Sequence, residues 1–145
     1  MGKQDVMAKI LPKGKGVWVP IDHGVTDFPC VGLENIEATI TAIIAGGANV
    51  IVAHKGVVDK YSHLCEGTAT SMIAHLSAST RHGGKNHSNK VLVGDVDEAI
   101  MRGAVGVSVQ ANIGSKKEST MLQRMGHITT EAFLNQVPVL GMLYV

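Results

Sequence analysis

The stretch Trp18-Val19-Pro20-Ile21-Asp22-His23-Gly24 decides the fold, because an apolar run ends abruptly in an acid, a histidine and a glycine. This pattern is typical of a β-strand that delivers polar side chains to the loop at its carboxyl end. In α/β barrels and open α/β sheets, reactive groups gather at that edge. The stretch therefore predicts an α/β protein whose site lies where its strands end.

The same pattern recurs four times further along the chain. The apolar runs 50–53, 72–74, 105–109 and 139–143 lead into His54-Lys55-Gly56, His75-Leu76-Ser77, Gln110-Ala111-Asn112 and Tyr144, respectively. Because parallel strands point their carboxyl ends to one side, five such ends predict a single shared active-site rim.

The composition limits the classes of protein to which this chain can belong. The chain has 145 residues, 45% of them hydrophobic, and a net charge of +1, which fits one globular domain. The near-neutral charge gives no reason to expect nucleic acid as a partner. No apolar stretch reaches the roughly 20 residues that span a bilayer, and the N-terminus lacks a signal-peptide core, so we expect a cytoplasmic protein. Cys30 and Cys65 are too few for a disulfide framework.

Strand and helix patterns alternate along the chain. We predict strands at 17–22, 49–53, 70–75, 90–93, 104–109 and 137–144, and helices at 33–45, 95–103 and 117–135, the second with a capping box formed by Asp95 and Glu98. Residues 80–89 contain almost no apolar side chain and predict a basic loop, either a solvated connection or an anion-contacting lid. Residues 1–16 are interpreted as an N-terminal arm and residues 17–145 as the folded domain.

Alternation of this kind predicts a parallel sheet with right-handed crossovers, either doubly wound or part of a (β/α)8 barrel. A barrel needs eight strands and about 250 residues. The sequence stops inside the apolar run that holds Leu143 and Tyr144. We interpret it as the N-terminal five βα units of a TIM barrel, incomplete in this chain.

An ordered series of segments resembles the archaeal-type class I aldolases, which are (β/α)8 enzymes. The matching segments cover nearly all of residues 17–145: Val19-Pro20-Ile21-Asp22-His23-Gly24-Val25, Gly32-Leu33, Gly46-Gly47-Ala48-Asn49, His54-Lys55-Gly56, His75-Leu76-Ser77, Glu98-Ala99-Ile100, Val107-Ser108, Asn112-Ile113-Gly114-Ser115 and Met142-Leu143-Tyr144. A single Asp-His-Gly is a weak signal, whereas this series in order is a specific one.

The resemblance implies a Schiff-base enzyme, in which a lysine amine condenses with a carbonyl substrate and the iminium withdraws electrons. Family members carry that lysine on strand six, so we expect it beyond residue 145. The resemblance assigns Asp22 and Tyr144 as acid–base residues. It also implies substrate contacts from His23, His54, Lys55, His75 and Val145, and no cofactor or metal ion.

The implied reaction joins a phosphorylated ketose-derived donor to an aldehyde such as aspartate semialdehyde, on a route to 3-dehydroquinate and the aromatic amino acids. Cleavage of fructose 1,6-bisphosphate is the alternative within the family. Relatives form homo-oligomers, which we expect here too. A non-catalytic half-barrel that assembles through its exposed sheet edges is the alternative outside enzymes.

Two further alternatives concern the chemistry. His23, His54 and His75 could together form an open zinc site, although no His-x-His spacing supports it. Lys55 could in principle form the Schiff base. Side chains alternate across a strand, however, so Lys55 and its neighbour His54 cannot both face the barrel axis.

Overall fold

A computed structural model describes residues 2–145. Five strands form a parallel sheet in the order β1-β2-β3-β6-β7, namely β1 (Trp18–Pro20), β2 (Val50–His54), β3 (Ser71–His75), β6 (Gly106–Asn112) and β7 (Val139–Tyr144). The sheet is curled and carries helices on its outer face. The predicted α/β class with parallel strands is therefore confirmed.

Six helices accompany the strands: α1 (Lys3–Ile10), α2 (His23–Thr26), α3 (Ile36–Ala45), α4 (Lys55–Tyr61), α5 (Val96–Met101) and α6 (Glu118–Leu134). The predicted helices at 33–45, 95–103 and 117–135 correspond to α3, α5 and α6. Helix α4 was not predicted, since seven residues with few apolar side chains give no clear period.

The predicted strand at 90–93 is present in part but lies outside the main sheet. Its core, β5 (Val91–Leu92), pairs antiparallel with β4 (Ser77–Ala78) in a separate two-stranded sheet. The loop at 80–89 holds a 3-10 helix at Arg81–Asn86. A two-residue apolar run has no period from which its partner could be predicted.

The two faces of the sheet pack against different elements, as the alternation of side chains requires. Ile51 and Val107 pack outward against helix residues such as Ile40 and Ile128. The opposite, concave face is formed near the strand starts by Val50, Val52 and Ile73.

Helix α1 covers this concave face near the strand starts. Val6 and Ile10 are buried there, and the Trp18 indole N–H donates to the Ile10 carbonyl at 2.9 Å. The segment that the sequence set apart as an arm thus contributes to the core. Because the strand starts are apolar and covered, polar chemistry on this face is confined to the strand ends.

One turn depends on glycine. Gly103, after α5, has φ +97°, and a Cβ atom there would lie 2.5 Å from the Ser62 hydroxyl oxygen. That hydroxyl donates to the Arg102 carbonyl and so fixes α4 to the end of α5. Both the backbone conformation and the close approach exclude a side chain here.

Candidate active site

Asp22, His75 and Ser108 form the centre of the candidate site. Asp22 lies just after β1, and its Oδ2 is 3.8 Å from His75 Nε2. On the other side of the ring, His75 Nδ1 is 2.6 Å from the Ser108 hydroxyl oxygen. His75 and Ser108 are register partners on β3 and β6, so the parallel pairing itself brings them together.

His75 is held in the neutral state. Its ring is 1% exposed, and burial lowers its pKa to about 4, against an opposing effect from Asp22. A neutral imidazole carries one N–H. The Ser108 hydroxyl holds the Nδ1 side of the ring, as donor in one tautomer and as acceptor in the other. The Asp22 carboxylate is mostly buried, with 14% of its side chain exposed, and lies 3.8 Å from Nε2, which is near the ring but beyond hydrogen-bond distance.

Ser108 is not arranged as a nucleophile. In a serine-hydrolase triad the acid and the serine bind the histidine so that the serine oxygen faces substrate. Here Ser108 is 0% exposed, beneath the ring of His75. Its hydroxyl therefore positions the histidine and does not meet a ligand.

His54 adds a buried ring nitrogen to the site. Its Nδ1 is 3.1 Å from the His75 carbonyl oxygen, so Nδ1 carries the proton and donates. Burial lowers the pKa of His54, which keeps the ring neutral. Its Nε2 is buried and meets no hydrogen-bond partner at good geometry among residues 2–145, while the Asp22 backbone lies close enough to the ring to oppose the lowering of its pKa. His54 and Asp22 both line a cavity of about 250 Å³, and such an atom fits a ligand hydroxyl.

Lys90 belongs to the same cluster and was missed by the sequence analysis. It is 8% exposed, and burial lowers its pKa, with Asp22 and Asp27 opposing that shift. Its ammonium group forms no ion pair in the described part of the chain. A mostly buried cation within electrostatic range of Asp22, but not paired with it, is suited to an anionic or carbonyl oxygen. The sequence gives no signal for it, because Lys90 follows a polar loop.

Lys55 points to a different place from His54. Its Nζ lies 3.0 Å from Glu98, which also pairs with Arg102 at 2.8 Å. These hydrogen bonds hold the pKa of Glu98 below its usual range. Lys55 and His54 thus point to different places, as expected, but for another reason than strand alternation: β2 ends at His54, and Lys55 is the first residue of α4. Glu98 does not complete the predicted capping box, because its carboxylate is used here, although Asp95 does cap α5.

The remaining predicted site residues lie at the rim. His23 is exposed at the start of α2, close enough to His75 to contribute to lowering its pKa. Tyr144 is 58% exposed at the end of β7, where it pairs in register with Asn112. Val145 is fully exposed. The structure thus brings Asp22, His54 and His75 together and leaves Tyr144 two strands away from β3.

The three histidines do not converge on a metal site. Residues 2–145 contain no group of three or more His, Cys, Asp or Glu side chains that could hold a metal ion. The zinc alternative therefore has no ligand set in the described chain. Nor does any helix in that range combine the length and apolar character needed to cross a membrane.

The fold is that of known aldolases. An archaeal fructose-1,6-bisphosphate aldolase, solved with its catalytic lysine bound to a carbinolamine intermediate, matches with a TM-score of 0.77 at 21% identity, over 94% of this chain and 55% of the other. The fructose-bisphosphate aldolase of Slackia heliotrinireducens matches with a TM-score of 0.78 at 20% identity, over 97% and 48%. The curled sheet is therefore of the barrel type, not doubly wound.

A family model defines the class more closely. Residues 16–145 match the DeoC/LacD family aldolase, so the chain belongs to this aldolase family. The 2-amino-3,7-dideoxy-D-threo-hept-6-ulosonate synthase 1 of Archaeoglobus fulgidus is 33% identical over 144 residues, which are 99% of this chain and 54% of that protein. The Halobacterium salinarum synthase is 34% identical over 143 residues, 99% and 53%. The chain thus spans about half the length of these relatives.

Proposed function

We propose that the protein acts as a class I, Schiff-base aldolase that makes 2-amino-3,7-dideoxy-D-threo-hept-6-ulosonate. The observation that carries this proposal is the Asp22 carboxylate, mostly buried at the end of β1 and faced by the neutral ring of His75. A carboxylate so placed can move protons as a carbinolamine dehydrates or as a C–C bond forms. The Schiff-base lysine, in this proposal, belongs to a sixth strand outside residues 1–145.

The other residues have supporting roles in the proposal. His75 keeps a neutral ring beside Asp22, and the Nε2 of His54 accepts a hydrogen bond from a substrate hydroxyl. Lys90 polarises a substrate oxygen near Asp22. Tyr144 is the second acid–base group, and His23 and Val145 contact substrate at the rim. The proposed role of Lys55 is structural, because its ion pair with Glu98 holds α4 against α5.

Sequence similarity supports one reaction within the family over the other. Relatives at 33% and 34% identity over 99% of the chain carry the heptulosonate synthase name. The structurally matching fructose-bisphosphate aldolases are 20–23% identical. We therefore propose a phosphorylated ketose-derived donor and aspartate semialdehyde as substrates, in the cytoplasm and in a homo-oligomeric enzyme.

The test is borohydride trapping on the full-length protein from its source. Sodium borohydride added with a phosphorylated ketose should reduce the iminium and leave a stable adduct, visible in the intact mass and assignable by peptide mapping. Failure of a carbonyl substrate to give any adduct would contradict the lysine mechanism. Loss of turnover on chelation would instead indicate a metal-dependent aldolase.

The variant Asp22→Asn tests the proton-transfer role. We expect turnover to fall by about 10²- to 10⁴-fold, the usual contribution of a general acid–base group. Asp97→Asn is the matched control, because Asp97 is exposed on α5. Equal turnover in the two variants would remove Asp22 from the mechanism.

A further inference from the structure

A second cavity lies at the same end of the sheet as the site. It has a volume of about 460 Å³ and is formed by the loop that precedes β5 and the loop that follows β6. We call it the rim pocket. All of its lining residues are of polar or charged types, namely Lys85, Asn86, Ser88, Asn89, Ser115, Lys116 and Lys117.

The rim pocket is a local concentration of positive charge in a nearly neutral protein. The chain carries 13 Lys and Arg against 12 Asp and Glu. Residues 81–90 and 113–124 contribute six of those cations and a single acid, Glu118. The Glu118 carboxylate accepts from the Gly114 backbone N–H. Within residues 2–145, Lys85, Lys116 and Lys117 form no ion pair.

The base of the rim pocket is fixed by hydrogen bonds. The Asn112 side chain donates to the Ser88 carbonyl at 2.7 Å, and Arg124 donates to the Lys90 carbonyl at 2.6 Å. The loop is therefore anchored on both sides of Asn89. Three exposed ammonium groups above a fixed polar base are suited to an anion that accepts several hydrogen bonds at once.

The rim pocket and the candidate active site both involve strand β6. Asn112 accepts from Gln110, and Gln110 lies two residues beyond Ser108 on β6. From Ser108 to Asn112 the strand rises by about 13 Å. The rim pocket therefore lies about one strand end away from the layer of Ser108 and His75, and its lining shares no residue with the cavity beside Asp22.

From these observations we propose that the rim pocket binds a phosphate monoester, with Lys85, Lys116 and Lys117 as charged donors and Ser88 and Ser115 as polar ones. A phosphate offers three acceptor oxygens and about two negative charges. The identity of the ester rests on the proposed function, in which the donor substrate is phosphorylated. The presence of the anion site itself does not depend on that reaction.

The test measures binding without turnover, so that its result is independent of aldolase activity. The 145-residue chain is titrated calorimetrically with inorganic phosphate and with fructose 1-phosphate. The double variant Lys116→Gln/Lys117→Gln should bind both probes roughly tenfold more weakly for each lysine removed. The control is Lys13→Gln/Lys15→Gln, which removes two exposed lysines elsewhere and should leave the affinity unchanged.

Equal affinity in the double variant, the control and the unsubstituted chain would overturn the proposal. The variant Asp22→Asn then separates two sources of the ester. If the substrate's own phosphate occupies the rim pocket, this variant should change the affinity for fructose 1-phosphate and leave that for inorganic phosphate unaltered. If a separate phosphorylated ligand occupies the pocket, neither affinity should change.

Discussion

His75 shows how one side chain can link the site to the stability of the fold. Burial lowers its pKa to about 4, whereas an unfolded histidine has a pKa of about 6.5. Between these two values the unfolded chain binds a proton that the folded chain does not. The free energy of unfolding therefore falls as pH drops from about 6.5 towards 4. The lowered pKa of His54 acts in the same direction.

We expect the loss from His75 to approach roughly 3 kcal/mol across this range. Urea unfolding at pH 7, 6 and 5 measures it, and the variant His75→Gln should have a shallower slope of stability against pH. His63→Gln, at an exposed position just after α4, is the control and should keep the original slope. An NMR titration in which the His75 ring becomes protonated near pH 6.5 would contradict the expectation.

The charge of Lys90 has opposite effects on the fold and on the candidate site. Its burial lowers the free energy of unfolding, whereas in the proposed function it polarises a substrate oxygen. Lys90 is 8% exposed and without an ion pair in the described chain. Replacing a buried charge with an apolar side chain of similar volume is often stabilising, by about 1–4 kcal/mol. We expect Lys90→Met to raise the free energy of unfolding and to lower aldol turnover.

Thermal unfolding and a kinetic assay together test this expectation. Lys60→Met, which removes an exposed lysine stacked on Tyr61, is the matched control and should change neither quantity strongly. A variant at Lys90 that kept full turnover would assign that residue a purely structural role.

The residues of the site were predictable to different degrees. Asp22, His54 and His75 follow apolar runs, so the sequence placed them at strand ends and the register brought them together. Ser108 carries a weaker signal, as a polar residue inside a buried run. Lys90 carries none, since its burial depends on the packing of a loop against β6 and α6. The roles of Tyr144 and Val145 stay predictions.

At the scale of elements, the connection between α5 and β6 has the strictest requirement for glycine. Gly103→Ala places a side chain at φ +97° and against Ser62. We expect this change to reduce the free energy of unfolding by about 1–3 kcal/mol. The matched change Gly126→Ala lies inside α6, where a Cβ atom meets nothing within 4 Å, and should be stabilising by up to about 1 kcal/mol.

Chemical denaturation of the two variants gives the comparison directly. Similar stabilities for Gly103→Ala and Gly126→Ala would show that the turn can relax and that glycine is not required there. Comparing the free energies of unfolding of the two variants cancels the general effect of an added methyl group, because each variant replaces one glycine with alanine.

The elements whose apolar residues recur with a clear periodicity were the most predictable from the sequence. Helix α6 was predicted at 117–135 and spans Glu118–Leu134. The short elements, α4 and the β4–β5 pair, depend on tertiary contacts. Glu98 illustrates this limit, because the capping motif was a local prediction and the ion pairs with Lys55 and Arg102 are partly non-local.

At the scale of the whole molecule, the open sheet predicts association. Strands β1 and β7 each pair on one side only within the described chain, and Leu143 is 60% exposed on β7. Unpaired edges with exposed apolar side chains favour pairing with another chain. We expect the 145-residue chain to self-associate, as measured by light scattering after size exclusion.

A charge on the β7 edge should weaken that association. Leu143→Lys should shift the chain towards the monomer, whereas Leu134→Lys, exposed at the end of α6, should not. A monomeric unsubstituted chain would contradict the expectation. The class of fold was predictable at this scale because parallel sheets follow from alternating patterns, and the aldolase resemblance supplied the choice of a barrel.

The contact between Trp18 and α1 has a practical consequence. The chain contains one tryptophan, and its indole donates to the Ile10 carbonyl at the helix end. Tryptophan fluorescence, excited selectively over the two tyrosines, therefore comes from a single residue at the junction between the N-terminal helix and the sheet. A red shift of the emission would report the release of that helix separately from global unfolding, without any attached label.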